Sequence, residues 1–326
     1  MNTDYVEICP TAYHKMVEHA HEVWGWEIVV YLFLGGLVAG LLVLTAALEL
    51  RAGERSKSRG LMWMPFIALA LISLGMGALF LDLHYKIHVF RFYLAFQPSS
   101  PMSWGAWILL VIYPAAFLLG MGSLSGDWRE RINGWVEKKS KRLKGLLDWS
   151  FEWADEHRRT LLWTNLVVGA GLGVYTGLLL GTMVARIHWN SAVLGPLFLS
   201  SGLSTGAAFM LLFKLDKDEQ RALVRWDMLA IAAELFFIAL MLISFVGGNH
   251  AAQVAGEGLL GGKWTAPFWT LVVMLGLVVP LLLETVEIKR RLPLTVVTPV
   301  LILIGGVSLR AILLASGQES CFCDLR

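Results

Sequence analysis

Polar positions in this chain are sparse and clustered, and between the clusters the sequence stays apolar for about twenty residues at a time. A helical run of that length crosses about 30 Å of hydrocarbon. Eight such runs occur, at 26–50, 64–83, 103–124, 161–185, 191–214, 225–247, 264–285 and 293–316. They predict an all-α integral membrane protein with eight transmembrane helices. Residues 1–25 carry no basic segment with a following cleavage site, so they are expected to be a mature tail. Residues 317–326 form the other tail.

The connections between the runs differ in charge. Segments 51–63, 125–160, 214–225 and 286–292 hold twenty Lys and Arg, whereas the alternate connections and the tails hold six. Basic connections stay on the inner side of a membrane, so both termini are expected outside. Trp24, Trp26, Trp104, Trp107, Trp189, Trp264 and Trp269 then mark the outer boundary, and Trp63, Trp128, Trp163 and Trp226 the inner one. Within 125–160, Trp128, Ile132, Trp135 and Val136 recur at helical spacing among basic residues. This predicts an amphipathic helix on the inner surface, held by its apolar side and by anionic lipid.

The first run contains Leu32-Phe33-Leu34 followed by Gly36-Leu37 and Gly40. The fifth contains Leu197-Phe198-Leu199 followed by Gly202-Leu203 and Gly206. The copies lie four runs apart and point the same way, which suggests a parallel repeat of two four-helix bundles, 26–185 and 191–316. Small residues four apart also let membrane helices approach closely whatever their ancestry.

Composition narrows the class. Of 326 residues, 56% are hydrophobic and 16% charged, against about 25% charged in soluble domains. That excludes disordered chains and ordinary soluble enzymes. The net charge of +2 argues against a nucleic-acid partner. The cysteines Cys9, Cys321 and Cys323 have no spacing suited to zinc or an iron–sulfur cluster. No run holds a pair of His, so no membrane haem is expected either.

Ionisable residues inside spans are costly and point to function. In the expected orientation, Glu27, Tyr31, Asp82, Tyr175 and Arg310 fall in the outer half, with Glu234 near the middle. Glu49 and Glu284 sit at inner ends and are expected to snorkel to water. Seven of the eight His lie on the outer side, among them His84 and His88. His, Asp and Glu beside the outer surface suit a site from which protons leave outward.

Four segments together resemble the polysulfide-reductase membrane-subunit family, NrfD/PsrC. They are Trp24-Gly25-Trp26-Glu27 with Tyr31 through Gly36 and Gly40; Leu81-Asp82-Leu83 with Arg91 and Ser100-Pro101-Met102-Ser103-Trp104-Gly105; Tyr175-Thr176-Gly177; and Gly305-Gly306 with Arg310 and Gly317-Gln318. The likeness covers residues 24–318, and the length resembles the shorter, eight-span members.

The resemblance implies a multi-pass subunit of the bacterial inner membrane, with both termini periplasmic. It implies electron exchange between menaquinone or ubiquinone and a four-cluster, ferredoxin-like iron–sulfur subunit. A molybdopterin or multihaem cytochrome subunit would complete the complex. It places the quinone near the docked subunit, with ligands at Tyr31 and Tyr175. Some members carry His in place of Tyr31 and Asn in place of Ile28, which leaves open the group that accepts the quinol proton.

The residue chemistry agrees. A quinone needs hydrogen-bond donors when oxidised and acceptors when reduced, and Tyr offers both. Tyr31, Asp82 and Tyr175 are expected to line one pocket, with Glu27, His84, Arg310, Ser103 and Trp104 nearby, and Glu234 and Asp82 as proton-path groups. Two other readings compete: a secondary transporter or proton channel, to which the inner half offers few ionisable groups, and a passive anchor without a quinone site.

Overall fold

The computed structural model describes residues 24–319 apart from 54–55, 57, 84, 95, 184–185 and 291–294. Eight helices are long and apolar enough to cross a membrane: α1 (Trp26–Ala52), α2 (Arg59–Asp82), α3 (Pro101–Ser123), α6 (Arg158–Gly181), α7 (Leu194–Leu211), α8 (Lys217–Val246), α10 (Thr265–Arg290) and α11 (Val297–Glu319). The shorter α4 (Gly126–Glu137) and α5 (Lys141–Glu156) join α3 to α6, and α9 (His250–Leu260) joins α8 to α10. Among the described residues there is no strand. A helix suits a bilayer because it satisfies its backbone polar groups within itself.

The ends are built by local chemistry. Gly53, at φ 72°, closes α1 by donating its N–H to Glu49 O, a left-handed turn that glycine enters without a Cβ penalty. Asp216 and Glu219 form a reciprocal capping box at the start of α8. Within α10, Phe268–Val278 is wound as a π-helix between Pro267 and Pro280.

At the centre, α1 crosses α7 through the two glycine segments of the apparent repeat. A Cβ on Gly202 would lie 2.7 Å from Gly36 O, and one on Gly206 would lie 2.7 Å from Gly40 Cα. The two backbones therefore meet directly. Around this crossing, α1 also packs on α2 and α6, and α7 on α8 and α11.

The two described ends of the chain meet on one face, here called the terminal face. Trp24 N–H donates to Gln318 Oε1 at 2.9 Å, and Gln318 Nε2 donates to Trp24 O at 3.0 Å. Trp189 stacks on Trp24 at 5.2 Å and donates to Leu313 O at 2.8 Å. It is a buried packing residue.

The opposite, distal face carries α4 and α5. Only one helix is predicted in 125–160, whereas the structure has two; Leu143, Leu146, Leu147, Phe151 and Ala154 recur at helical spacing along the second. Arg129 fixes the pair. It bonds both oxygens of Asp155, at 2.6 and 2.8 Å, and donates to Gly122 O and Leu124 O at the end of α3. Those carbonyls have no partner within the helix, and the negative end of the helix dipole favours a cation there. Trp135, Leu143, Leu146 and Trp149 stay exposed, and Lys139 sits over the Trp135 ring at 4.1 Å.

Two further expectations are corrected here. Glu49 and Glu284 are buried and do not reach water. Glu49 pairs with Arg158 at 2.6 Å, and Glu284 faces Asp227.

His188, in the connection from α6 to α7, is 1% exposed and lies 4.7 Å from the Phe245 ring. Burial pushes its imidazole down to about 4, because the charged form loses its water. The unfolded chain takes up this proton near pH 6.5 and the folded chain does not. Stability is therefore complete above pH 6.5 and is lost as pH falls toward 4, by about 3 kcal/mol for this group. Thermal melting between pH 7.5 and 4.5 should show a steeper loss in the unmodified protein than in His188→Gln. Parallel curves would remove His188 as the cause.

Candidate functional site

A cavity of about 210 Å³ opens near the terminal face between α1, α2, α3, α6 and the 83–100 connection. Its walls are mainly apolar: Ile28 and Leu32 from α1, Met76 and Leu79 from α2, Met102 and Leu109 from α3, and Leu179 from α6. Four polar side chains interrupt them, namely Tyr31, Asp82, Tyr93 and Tyr175.

Ile28 and Tyr31 are three residues apart on α1 and share the face that looks into the cavity. Tyr175 comes from the opposite wall, with its phenol set beside that of Tyr31. Gly105 makes room for it. A Cβ on Gly105 would overlap the Tyr175 Cζ and hydroxyl, so the phenol lies directly on the α3 backbone. Asp82 ends α2 at the rim and is half-buried. Among the described residues it forms an ion pair with neither Arg91 nor Arg310. Tyr93 lies outside the spans, and burial pushes its phenol up, so it is a neutral donor and acceptor at ordinary pH.

A second, wider cavity of about 540 Å³ adjoins the first and shares Leu83, Phe92 and Met102 with it. Its polar lining is Tyr85, His88, Arg91, Gln97, Ser100 and Ser103.

The structure gathers three of the expected site residues and disperses the others. Tyr31, Asp82 and Tyr175 line the cavity. Ser103 lines the wider one, where its Oγ accepts the Gln97 N–H at 3.1 Å. Trp104 lines neither: it is 45% exposed and donates to Pro98 O at 2.7 Å. Glu27 lies beside Gly25, at the mouth of α1, and lines neither. Arg310 is fully buried against Phe33, Gly36 and Phe198, away from the cavity wall. Glu234 lines neither cavity. His84 lies outside the described residues, as do Cys9, Cys321 and Cys323.

Residues 15–321 match the profile of the family described as polysulphide reductase, NrfD. The chain belongs to that family. It is similar to a polysulfide reductase chain of Wolinella succinogenes, at 29% identity over 91% of this chain and 94% of the relative. It is 28% identical to protein NrfD of Escherichia coli over 91% of this chain and 95% of that one. A selenate reductase subunit of Mesobacillus selenatarsenatis is 25% identical, over 84% of this chain and 69% of that one. This NrfD-family protein is thus a multi-span membrane protein whose relatives include named subunits of reductases.

Three contributors to the NrfD site carry no clear signal in the sequence. Tyr93 lies where the 83–100 connection folds back over the cavity, and no periodicity marks that; Met102, at the start of α3, carries only the motif signal. Gly105 is visible only as part of a motif. Asp227, beside Trp226 and Arg225, occupies a position that resembles the end of a span. Asp227, Glu284 and Glu287 are all buried near the distal face. Glu284 is among the edge residues expected there; Asp227 adds a buried acid within a span.

Proposed function

We propose that this chain is the membrane anchor and quinone-interacting subunit of a respiratory reductase complex. The observation that carries the reading is the pair of neighbouring phenols, Tyr31 and Tyr175, in a mainly apolar cavity. Such a cavity, with few convergent polar groups, suits an apolar ligand with polar ends. Its volume is below the roughly 300–1,000 Å³ of drug-sized pockets, which fits a planar headgroup whose isoprenoid tail remains in lipid.

Bound there, menaquinone or ubiquinone would supply two-electron redox chemistry. The chain's own residues hold and orient it. The Tyr31 and Tyr175 hydroxyls can donate to a ring carbonyl or accept from a ring hydroxyl without net charge. Asp82, at the rim, can accept a proton and pass it to water through the wider cavity, where His88 is a second acceptor. Apolar walls keep bulk water from the ring.

The terminal face is the periplasmic one in this reading, supported by the excess of Lys and Arg in the distal connections. The partner is a four-cluster iron–sulfur subunit docked over the wider cavity, with a molybdopterin or multihaem cytochrome subunit beyond it. The relatives named for polysulfide and selenate reductases support a complex of this kind.

Tyr31→Phe and Tyr175→Phe test the assignment in the assembled complex. Each removes one hydroxyl, and a hydrogen bond worth about 0.5–1.5 kcal/mol corresponds to a roughly 2- to 10-fold fall in quinol-linked turnover. Reduction driven by an artificial dye should be unchanged. Wild-type quinol turnover in both variants would remove the pair from the site.

A further inference from the structure

The hairpin of α4 and α5 is tethered at both ends to membrane spans. α4 begins at Gly126, just after α3 ends at Ser123, and α5 ends at Glu156, next to the start of α6 at Arg158. The hairpin therefore stays at the distal surface of the bilayer. Trp128 meets Trp63, near the start of α2, edge to face at 5.3 Å. A Cβ on Gly122 of α3 would lie 3.2 Å from the Ala154 Cβ of α5. This packing divides the apolar stripe that the sequence assigns to lipid, Trp128, Ile132, Trp135 and Val136. Val136 is buried, and Ile132 packs with Leu147 and Phe151 beneath the hairpin. Trp135 is left outside. On α5, Phe151 and Ala154 face inward, while Leu146 and Trp149, three residues apart, share an uncovered flank. Trp135 and Leu146 are each 61% exposed. The apolar arc of each helix is thus wider than the core that covers it.

The charges divide as well. Three acids close the hairpin: Asp148 accepts from Asn133 Nδ2 at 2.9 Å, Glu137 pairs with Lys144 at 2.9 Å, and Asp155 is held by Arg129. The exposed acids Asp127, Glu130, Glu152 and Glu156 lie at the end of the hairpin next to the spans. The turn between the helices is basic. Its Lys138, Lys139, Lys141 and Arg142 are exposed and form no ion pair among the described residues, and the same holds for Arg131 of α4. Arg131 lies over the Trp128 ring at 5.5 Å and Lys139 over the Trp135 ring at 4.1 Å, so cations and indoles share one flank of α4. Lys141 and Arg142 stand in the first turn of α5, which holds no acid. The helix dipole disfavours cations there, so the stability of the helix does not account for them.

Uncovered indole and leucine side chains beside unpaired cations, on a hairpin held at the bilayer surface, suit an amphiphile with an anionic head. Acyl chains cover the apolar flanks, and phosphates balance the cations. A second copy of this chain suits them less, because a two-fold contact would set the basic turn against itself. We propose that the α4–α5 hairpin binds anionic phospholipid of the distal leaflet. Trp135, Leu146 and Trp149 sit at the acyl boundary, and Lys138, Lys139, Lys141 and Arg142 hold the phosphates. The lipid covers what the core leaves open and supplies the negative charge that the turn lacks. The assignment does not depend on a quinone in the cavity.

The test uses the full chain in nanodiscs that each hold a single copy, made from equal parts of phosphatidylcholine and phosphatidylglycerol. Brominated acyl chains, which quench tryptophan on contact, are placed on one lipid or on the other. The fluorescence lost in the Trp135→Phe, Trp149→Phe double variant identifies the share of those two rings. That share should be quenched by brominated phosphatidylglycerol with a relative association roughly 5-fold or more above that of brominated phosphatidylcholine, the factor expected of one Lys or Arg at an anionic surface. The preference should vanish when Lys138, Lys139, Lys141 and Arg142 are all replaced by Gln. It should also vanish in the unmodified protein at about 1 M NaCl, where charges are screened beyond about 3 Å. The salt measurement needs no variant and serves where the fourfold substitution disturbs the hairpin. Equal quenching by the two lipids at low salt would overturn the proposal. So would the absence of quenching by either lipid, which would show that the two rings do not meet lipid.

Discussion

Replacing Gly105 with valine is expected to lower quinol-linked turnover about 100-fold while dye-driven reduction by the partner subunits continues. At Gly105 the α3 backbone passes under the Tyr175 ring so closely that even one methyl group would overlap the phenol carbon and its oxygen. The ring cannot retreat easily, because Tyr175 is 5% exposed and belongs to the buried apolar cluster that includes Leu109 and Ile112. Valine therefore pushes the hydroxyl away from Tyr31 and fills part of the cavity. Displacements of about 1 Å at a reacting centre can cost about 10²-fold. Gly171→Val is the comparison, since the nearest atom to a Cβ there is 4.0 Å away. Equal quinol turnover in the two variants would detach Gly105 and Tyr175 from the reaction. Loss of dye-driven reduction in Gly105→Val alone would instead mean failed assembly, which thermal melting of the purified subunit would reveal.

Gly206→Leu is expected to be among the most damaging single changes to the fold. The Cβ would lie 2.7 Å from the Gly40 backbone, and backbone cannot rotate away as a side chain can. Separating α1 from α7 by one side-chain layer also loosens the contacts that α1 makes with α6 and α2. Overpacking in a core costs about 1–3 kcal/mol and occasionally more, and a rigid helix crossing belongs at the upper end. Gly77→Leu, on the outward face of α2 where nothing lies within 4 Å, should be close to neutral. The measurement is thermal unfolding in detergent, read by loss of protein resistant to protease. Similar midpoints for Gly206→Leu and Gly77→Leu would show that the crossing does not hold the molecule together.

The crossing also explains why the Gly36–Gly40 and Gly202–Gly206 segments look alike. Two helices that meet backbone to backbone need small residues at the same four-residue spacing, whichever came first. The likeness was legible in the sequence. That each copy is the other's partner was not, because no pattern within one helix names its neighbour.

The sequence by itself determined the eight spans and the motifs that place the chain in its family. It also determined how deep each polar residue lies, since depth follows from position along an apolar run at 1.5 Å per residue. Depth was sufficient to bring Tyr31, Asp82 and Tyr175 to one level. Only the tertiary structure decided which residues at a given level face one another. Arg310 was assigned to the same outer half as Tyr31, yet the packing of α11 on α7 turns its guanidinium to Ser201. Asp227 reads as an interfacial residue until α10 closes over it and sets it against Glu284. Helical periodicity orders side chains around a single axis, and the rotation of that axis relative to its neighbours is settled by close packing between helices.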